Sequence, residues 1–189
     1  MKKHTGYIIL VFGTLMSLIG YKYVSKGQEV STPIEAQWSL EQITGADMPE
    51  LNYASEERII FHGYFGLFVY DLNTQSITHS LDLKSIGCDS TQGDAYCEVS
   101  VSQDGNKVQL HPMISNQMYV YDIEKEELKK LSYTPMQDPF KVIPNENPSG
   151  AVSYVTVKFA NGERGYLQSE TQTLDGLYYV RGNSKYKLF

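Results

Sequence analysis

The histidines are the residues of this sequence whose type suits acid–base or metal chemistry, and there are four of them. They are His4, His62, His79 and His111, and Thr, Gly, Ser and Pro follow them in that order. None belongs to the His-Glu-x-x-His pattern that would present two imidazoles to a zinc ion from one helix face. No G-x-S-x-G segment and no P-loop occurs either. The sequence therefore predicts no catalytic residue, no metal site and no cofactor.

His62 and His111 hold comparable places in two similar segments. Each closes an apolar run and precedes a loop, and each loop leads into an aromatic-Val-Tyr-Asp run, "FVYDL" from Phe68 and "YVYDI" from Tyr119. A binding site that the two imidazoles share is one interpretation. A polar residue at the end of a strand is the other.

A carboxylate closes each Val-Tyr-Asp run, Asp71 in the first and Asp122 in the second. One interpretation places both on a common functional rim. The other is local, because an Asp that enters a turn accepts hydrogen bonds from backbone N–H groups two or three residues further on and so fixes the turn. We expect the turn role for both.

Aromatic residues give the strongest indication of a contact surface. The segment "FHGYFGLFVY" places five Phe and Tyr rings within residues 61–70, with glycines between them. Most of these rings are expected in a core. An exposed loop at 62–66 would instead offer Tyr64 and Phe65 to a cell-surface protein, a peptide or a glycan. Tyr64 and Phe65, together with His62 and His111, are the predicted binding residues.

The two cysteines, Cys88 and Cys97, lie in "IGCDSTQGDAYCEV". An even number of cysteines in an exported chain favours a disulfide. Zinc would need four ligands, and redox catalysts use the much shorter Cys-x-x-Cys spacing. We expect a structural disulfide between Cys88 and Cys97, with two free thiols as the alternative.

The N-terminus carries the signal of a membrane segment. Lys2 and Lys3 precede seventeen residues without charge, 5–21, which as a helix would be roughly 25 Å long, close to the span of a bilayer core. We expect residues 1–24 to be an uncleaved membrane anchor, or else a signal peptide. The polar stretch 25–37 is the predicted linker, and residues 38–189 form the extracytoplasmic domain of a single-pass membrane protein or, after cleavage, of a secreted one.

The charge of the predicted domain excludes nucleic acid as a partner. The first 26 residues hold four of the sixteen basic residues and none of the 22 acidic ones, so residues 27–189 carry 12 basic and 22 acidic side chains, a net charge of −10. A phosphate backbone would be repelled by this charge.

The sequence predicts an all-β domain. It is rich in Tyr, Val, Ile and Phe, with turn pairs such as Asp104-Gly105 and Asn161-Gly162 between the apolar runs. "VSVSQDGNKVQL" followed by "YVYDIEKEELKKL" predicts a four-stranded antiparallel meander, and similar layouts occur before it and near the C-terminus. The first copy lacks a clear strand, which residues 37–43 could supply.

The repeated meanders, 51 to 59 residues each, resemble β-propeller blades. About three copies fit the chain, and a closed propeller ring usually needs at least four. We therefore expect three blade-like antiparallel meanders in an open or incomplete propeller, or in a sandwich, preceded by one N-terminal hydrophobic helix.

A family resemblance extends over roughly residues 38–189. "RIIFHGYFGLFVYDL", "SLDLKSIGCDSTQGDAYCEVSVSQDGNKVQLHPM", "MYVYDI" and "YVRGNSKYKLF" together resemble the extracytoplasmic C-terminal portion of BlaR/MecR-type membrane metallopeptidases of Gram-positive anaerobes. In that family a membrane protease cleaves a repressor and an outer domain perceives a signal. The zinc protease motif and the several membrane spans have no counterpart here. The resemblance thus implies an outer sensing module without the protease.

These observations predict a non-catalytic binding or sensing module at the bacterial cell surface, linked to a BlaR/MecR-like signalling system. Two alternatives belong to other classes. One is a cell-wall or peptide hydrolase that uses carboxylates or histidine. The other is a structural partner of a membrane signalling complex.

Overall fold

A computed structural model describes residues 29–37, 48–90, 93–94, 96–144, 155–171 and 173–189. Within these ranges the protein is all-β, as predicted: fourteen strands form three antiparallel sheets, and no α-helix is present. The N-terminal helix and anchor predicted at 1–24 lie outside the described residues. In the described part, no helix is both long enough and apolar enough to span a bilayer.

The strands alternate with short turns along the whole described chain. Two short 3₁₀ helices, Lys84–Ile86 and Leu174–Gly176, interrupt the connections. In chain order the strands are β1 (Glu29–Ser31), β2 (Glu50–Ala54), β3 (Arg58–Gly63), β4 (Gly66–Asp71), β5 (Ser76–Leu81), β6 (Cys97–Val101), β7 (Lys107–Pro112), β8 (Gln117–Asp122), β9 (Glu127–Ser132), β10 (Ile143–Pro144), β11 (Val155–Lys158), β12 (Arg164–Ser169), β13 (Leu177–Arg181) and β14 (Ser184–Lys187).

Each sheet is built on one four-stranded meander. Sheet I has the order β2-β3-β4-β5, sheet II the order β1-β9-β8-β7-β6, and sheet III the order β10-β11-β12-β13-β14. The predicted turns at Asp104-Gly105 and Asn161-Gly162 connect β6 to β7 and β11 to β12. β1, which belongs to the stretch predicted as linker, extends sheet II by pairing with β9.

The strand missing from the first repeat is β2, and its prediction at 37–43 was wrong. Gln37 is not in a strand, and 38–43 lie outside the described residues. The pairing of β2 with β3 shifts by one residue between Leu51 and Tyr53, which leaves Asn52 as a bulge. Because a bulge breaks the alternation of apolar and polar residues, the strand carries no clear pattern in the sequence.

Sheets I and II repeat the same plan, as predicted. Asp71 ends β4 and Asp122 ends β8, each before a turn that closes on the following strand. Within these turns Gln75 and Glu126 occupy equivalent places, and both have a φ of 52°. The repeated Val-Tyr-Asp runs therefore mark equivalent strands with the same type of turn.

Sheet I lies between the other two sheets and is buried on both faces. Its first face packs on sheet III in a core formed by Ala36, Leu51, Ala54, Ile59, Phe61, Phe68, Tyr70, Leu72, Val157, Leu167, Leu174, Leu177, Tyr179 and Leu188. Its second face packs on sheet II in a core formed by Tyr53, Ile60, Leu67, Val69, Leu81, Leu83, Cys88, Cys97, Val101, Val108, Leu110, Tyr121, Ile123 and Leu128. Successive residues of β3 and β4 thus point alternately into the two cores.

The three stacked sheets have the same orientation, so that their equivalent turns lie on the same side of the domain. A guanidinium nitrogen of Arg58 at the start of β3 donates to the carbonyl of Asp104 in the β6–β7 turn, at 3.0 Å. The Arg181 guanidinium at the end of β13 contacts Glu56 in the β2–β3 turn. We call this side the turn end. The β3–β4 turn, the β7–β8 loop and the β12–β13 connection occupy the opposite side, the loop end.

Candidate functional site

His62 is a buried structural residue. Its side chain is 4% exposed, and its Nδ1 lies 2.7 Å from the amide oxygen of Asn52. The oxygen can only accept, so Nδ1 carries the proton of the neutral ring. Burial lowers the pKa of His62 to about 4, because the charged imidazolium would lose its hydration. At neutral pH the ring is uncharged and not accessible to a ligand.

His111 is also buried, and it supports the β7–β8 loop. Its ring stacks on Tyr133 with centroids 3.5 Å apart, and its Nε2 donates to the carbonyl of Ser115 at 2.9 Å. Nδ1 is 3.8 Å from a carboxylate oxygen of Glu98, which is too far for a hydrogen bond. The contacts of this imidazole are with its own loop and with the segment after β9.

The structure does not bring the two histidines together. His62 alternates with Phe61 along β3 and therefore shares the face of Ile60, which packs toward sheet II. His111 alternates with Leu110 along β7 and therefore faces away from sheet I. The backbone of sheet II separates the rings, so a shared imidazole site does not form.

Tyr64 and Phe65 form the β3–β4 turn at the loop end, and both are partly exposed. Their rings meet edge to face with centroids 5.3 Å apart. Phe65 also packs on Phe68 and Phe189, with centroids 5.6 and 6.1 Å away. The turn is therefore the solvent-facing edge of the core between sheets I and III.

A groove of about 560 Å³ opens beside this aromatic cluster. Its lining is mostly apolar with polar residues among it: Tyr70, Gln75, Ser76, Ile77, Lys187, Leu188 and Phe189. The Tyr70 hydroxyl donates to the carbonyl of Lys187 at 2.8 Å and fixes the end of sheet III on sheet I. Phe189, which also contacts Phe65, joins the groove to the β3–β4 turn.

The groove lies between two outer strands. Ser76 and Ile77 belong to β5 and Lys187 belongs to β14, and these strands are the outer members of sheets I and III. Among the strands that the structure describes, neither is paired with a further strand on its outer side. The far end of β5 is covered by the segment before residue 37, since the Ala36 N–H donates to the Ser80 hydroxyl at 3.1 Å and the Asp82 N–H donates to the carbonyl of Ile34 at 2.7 Å. The part of β5 at Ser76 and Ile77, beside the groove, is the open edge. Backbone N–H and C=O groups on such an edge are available to an added strand.

Sequence reasoning missed this groove because its walls are distant in the chain. Residues 70–77 and 187–189 meet only when sheet III packs on sheet I, and no spacing in the sequence reports that contact. Tyr70 belongs to the repeated Val-Tyr-Asp run, but that run indicates only a strand. The predicted residue closest to the groove is Phe65, through Phe189.

The two carboxylates of the repeated runs cap their turns, as predicted. Oδ1 of Asp71 accepts from the backbone N–H groups of Asn73 and Thr74 at 2.9 and 2.7 Å. Oδ1 of Asp122 accepts from the backbone N–H of Lys125 at 3.2 Å, and Oδ2 accepts from its ammonium at 3.0 Å. These bonds hold the pKa of Asp71 below its usual value.

Cys88 and Cys97 are buried thiols in the core between sheets I and II. A hydrogen bond with Cys97, and then burial, raises the pKa of Cys88, so the Cys88 thiol is protonated at neutral pH and not nucleophilic. In the described part of the chain, no three His, Cys, Asp or Glu side chains are grouped so as to hold a metal ion.

The sequence matches no protein-family model and no curated protein. The groove and its two strand edges are therefore the observations from which a function can be argued.

Proposed function

We propose that this chain is a non-catalytic peptide-binding module on the outer side of a bacterial cell membrane, held there by its N-terminal segment. The apolar run at 5–21 after two lysines supports the anchor. The net charge of −10 beyond residue 26 supports a partner that is neither nucleic acid nor an anionic surface.

The fold proposed for this module is an incomplete propeller. The first strands of the three meanders approach each other, since β2 contacts β6 on one side and β11 and β12 on the other. The outer strands β5 and β14 lie at the periphery of their sheets. Sheet I stands between sheets II and III, so the ring of blades is open between those two. Sheets that are stacked and aligned in this way are typical of blades.

The groove between β5 and β14 is the observation that carries the proposed function. An extended peptide can add its backbone to a free strand edge while one of its side chains enters a neighbouring pocket. Here Tyr70, Ile77 and Phe189 supply the apolar floor, and Gln75 and Ser76 supply polar groups beside it. Full burial of one large apolar side chain stabilises such a complex by about 1.5–3 kcal/mol.

The charge at the groove adds a preference to this binding mode. Among the described residues that line the groove, Lys187 is the one cation and none is acidic. A peptide with a carboxylate next to its apolar residue would gain an ion pair there. The ligand class is thus an extended peptide with an apolar side chain and a nearby acidic group.

The resemblance to the outer portion of BlaR/MecR-type proteins supports a role of this binding in signalling. The module would perceive a peptide and pass the signal to a membrane protease encoded elsewhere. A gene for a repressor or for a membrane metallopeptidase next to this one would favour that role. Neighbouring genes of unrelated function in every genome that encodes the chain would count against it.

Selection of random linear peptides on the full chain in lipid nanodiscs tests the binding function. We expect enriched peptides to carry an apolar residue beside an acidic one. Ile77→Thr keeps a β-branched residue in β5 but removes apolar surface from the groove, so binding should weaken about tenfold, equal to about 1.4 kcal/mol. Ile114→Thr, the same change far from the groove, should leave binding unchanged. Failure to enrich any peptide, or equal loss in both variants, would refute the proposal.

A further inference from the structure

We propose that the loop end of sheet II lies on the membrane surface, with Tyr96, Met113 and Ile114 in the interfacial region of the bilayer. This inference rests on the proposed membrane anchor and adds to it the orientation of the domain. The three residues are called the apolar tip below.

The apolar tip is the main cluster of exposed large hydrophobic residues in the described part of the chain. Ile114 is 76% exposed, Met113 44% and Tyr96 38%, and among the other described residues only Val30 and Ile34 are comparable. The backbone N–H of Met113 donates to the carbonyl of Tyr96 at 3.1 Å, so these two residues lie opposite each other, and Ile114 follows Met113 in the chain. Exposed apolar residues that cluster indicate a contact surface, whereas scattered ones do not.

Several polar groups of the loop that carries the tip are hydrogen-bonded within the protein. The backbone N–H of Ser115 donates to the carbonyl of Pro112 at 2.8 Å, and that of Gln117 donates to the Ser115 hydroxyl at 3.0 Å. The carbonyl of Ser115 accepts from His111. A loop that is closed on itself loses fewer hydrogen bonds to water when its apolar side chains enter a membrane interface.

The local charge also suits this contact. No charged residue occurs from Pro112 to Tyr119, although the domain as a whole carries a net charge of −10 and the carboxylates of Glu98 and Glu50 lie near Tyr96. Anionic lipids would repel the acidic surface elsewhere, so an uncharged apolar loop is the part of sheet II that can approach a bilayer closely. Tyr at the rim of such a patch is a residue type enriched at membrane interfaces.

The direction of β1 places the apolar tip near the anchor. Glu29, the first residue of β1, pairs with Lys130 of β9, two residues before β9 ends at Ser132. Ser132 in turn pairs with Gln117, where the β7–β8 loop ends and β8 begins. The chain therefore enters the domain from the loop end of sheet II. Four residues, 25–28, separate the predicted anchor from β1, and they reach at most about 14 Å. This short connection keeps the loop end close to the bilayer.

The contact of the apolar tip with the bilayer orients the domain and adds little to the strength with which the anchor holds the chain at the membrane. Once the anchor holds the chain at the membrane, insertion of the tip is an intramolecular event at high effective concentration. Even a weak interfacial affinity then suffices to fix which end of the sheets faces the lipid. The turn end, with Glu124 in the β8–β9 turn, would point away from the bilayer.

Fluorescence quenching in vesicles tests the orientation. The full chain is reconstituted in phosphatidylcholine vesicles with brominated acyl chains, and Trp38, the single Trp, is kept in every variant. Ile114→Trp adds a reporter at the tip, and Glu124→Trp adds one at the opposite end of sheet II. The added fluorescence should be quenched at least twofold more in the Ile114→Trp chain than in the Glu124→Trp chain.

Flotation of the same vesicles distinguishes failure of the proposed anchor from failure of the proposed orientation. A chain that does not float with the vesicles refutes the anchor, and with it both the proposed location and this orientation. A chain that floats but shows equal quenching in the two variants refutes only the orientation and leaves the anchor and the peptide groove standing.

Discussion

The ring of Tyr53 covers Gly105 so closely that a Cβ on the glycine would lie 2.6 Å from a ring atom. Tyr53 belongs to β2 of sheet I, and Gly105 belongs to the β6–β7 turn of sheet II. The same ring packs on Phe140, with centroids 4.6 Å apart. A turn glycine that the sequence explains by backbone conformation alone therefore also forms part of the contact between two sheets.

Substitution of this glycine should cost more than substitution of its counterpart in sheet III. Gly105 and Gly162 both have positive φ, 69° and 85°, but no atom lies within 4 Å of a Cβ placed on Gly162. Gly162→Ala should cost about 1 kcal/mol through backbone strain. Gly105→Ala should cost a further 1–3 kcal/mol, approximately, because the buried ring must move. Urea unfolding of both variants measures the difference, and equal costs would contradict the close packing.

The Cys88–Cys97 pair should act as a structural disulfide under oxidising conditions. Both thiols are buried and hydrogen-bonded to each other. In the chain-entropy model, closing a loop of this length stabilises the fold by roughly 2–3 kcal/mol. We expect the free energy of unfolding of the wild-type chain to fall by this amount when dithiothreitol is added.

A variant with both cysteines changed to serine provides the control for this prediction. Its stability should be the same with and without the reductant. A wild-type chain whose stability does not depend on the reductant would show that the two thiols stay free, the alternative that the spacing also allows.

The fold was largely predictable because its signals are local. Alternating apolar residues with Asp-Gly and Asn-Gly turns specify hairpins, and the repeated run that ends at Asp71 and Asp122 marks equivalent strands. The elements missed are those without a local signal. β1 has three residues and pairs with β9 across 97 positions, as the contact of Ser31 with Leu128 shows. In β2 the bulge at Asn52 interrupts the alternation of apolar and polar residues, so the sequence does not show a strand pattern.

The site was less predictable because the comparison of the repeats gives equivalent positions along the strands but not the face of the sheet from which each side chain projects. His62 and His111 occupy equivalent places, so each projects from the same face of its own sheet. Stacked repeats always leave a sheet between such residues, and a shared site cannot form from them. The groove of Tyr70, Ile77 and Phe189 instead needs contacts between two different repeats, which no comparison of repeats reveals.

Arg181 should be a specific link between sheets I and III. Its Nη1 and Nη2 donate to the two carboxylate oxygens of Glu56, both at 2.6 Å, and its Nε donates to Glu163 at 2.8 Å. The guanidinium also lies 3.7 Å from the ring centroid of Phe159. Arg181→Lys keeps the charge but loses the paired geometry, so we expect a loss of up to about 1 kcal/mol, because the glutamates are exposed to solvent.

The neighbouring glutamates provide a matched control for this link in chemical denaturation. Glu56→Gln removes the acceptor of the paired bonds and should lower the midpoint of urea unfolding. Glu57→Gln removes one carboxylate from the same exposed turn and should leave the midpoint nearly unchanged. Equal shifts in the two variants would mean that the effect reflects net charge and not the bond with Arg181.

The stability of the domain should decrease as the pH falls from 6.5 to 4, because of His62. Its pKa is about 4 in the folded chain and 6.5 in the unfolded chain, so within this window only the unfolded state binds the proton, and the loss reaches about 3 kcal/mol. The pKa of Glu50, opposite His62, is raised by burial, and it contributes a slope of the opposite sign. His62→Asn keeps a donor near Asn52 but cannot be protonated, so its stability should decrease much less than that of the wild type over this range. A small decrease near pH 4 should remain, because carboxylates such as Asp71 have a lowered pKa in the folded chain. Urea unfolding at several pH values tests this prediction. If the free energy of unfolding of the variant decreased as much as that of the wild type, a group other than His62 would be responsible.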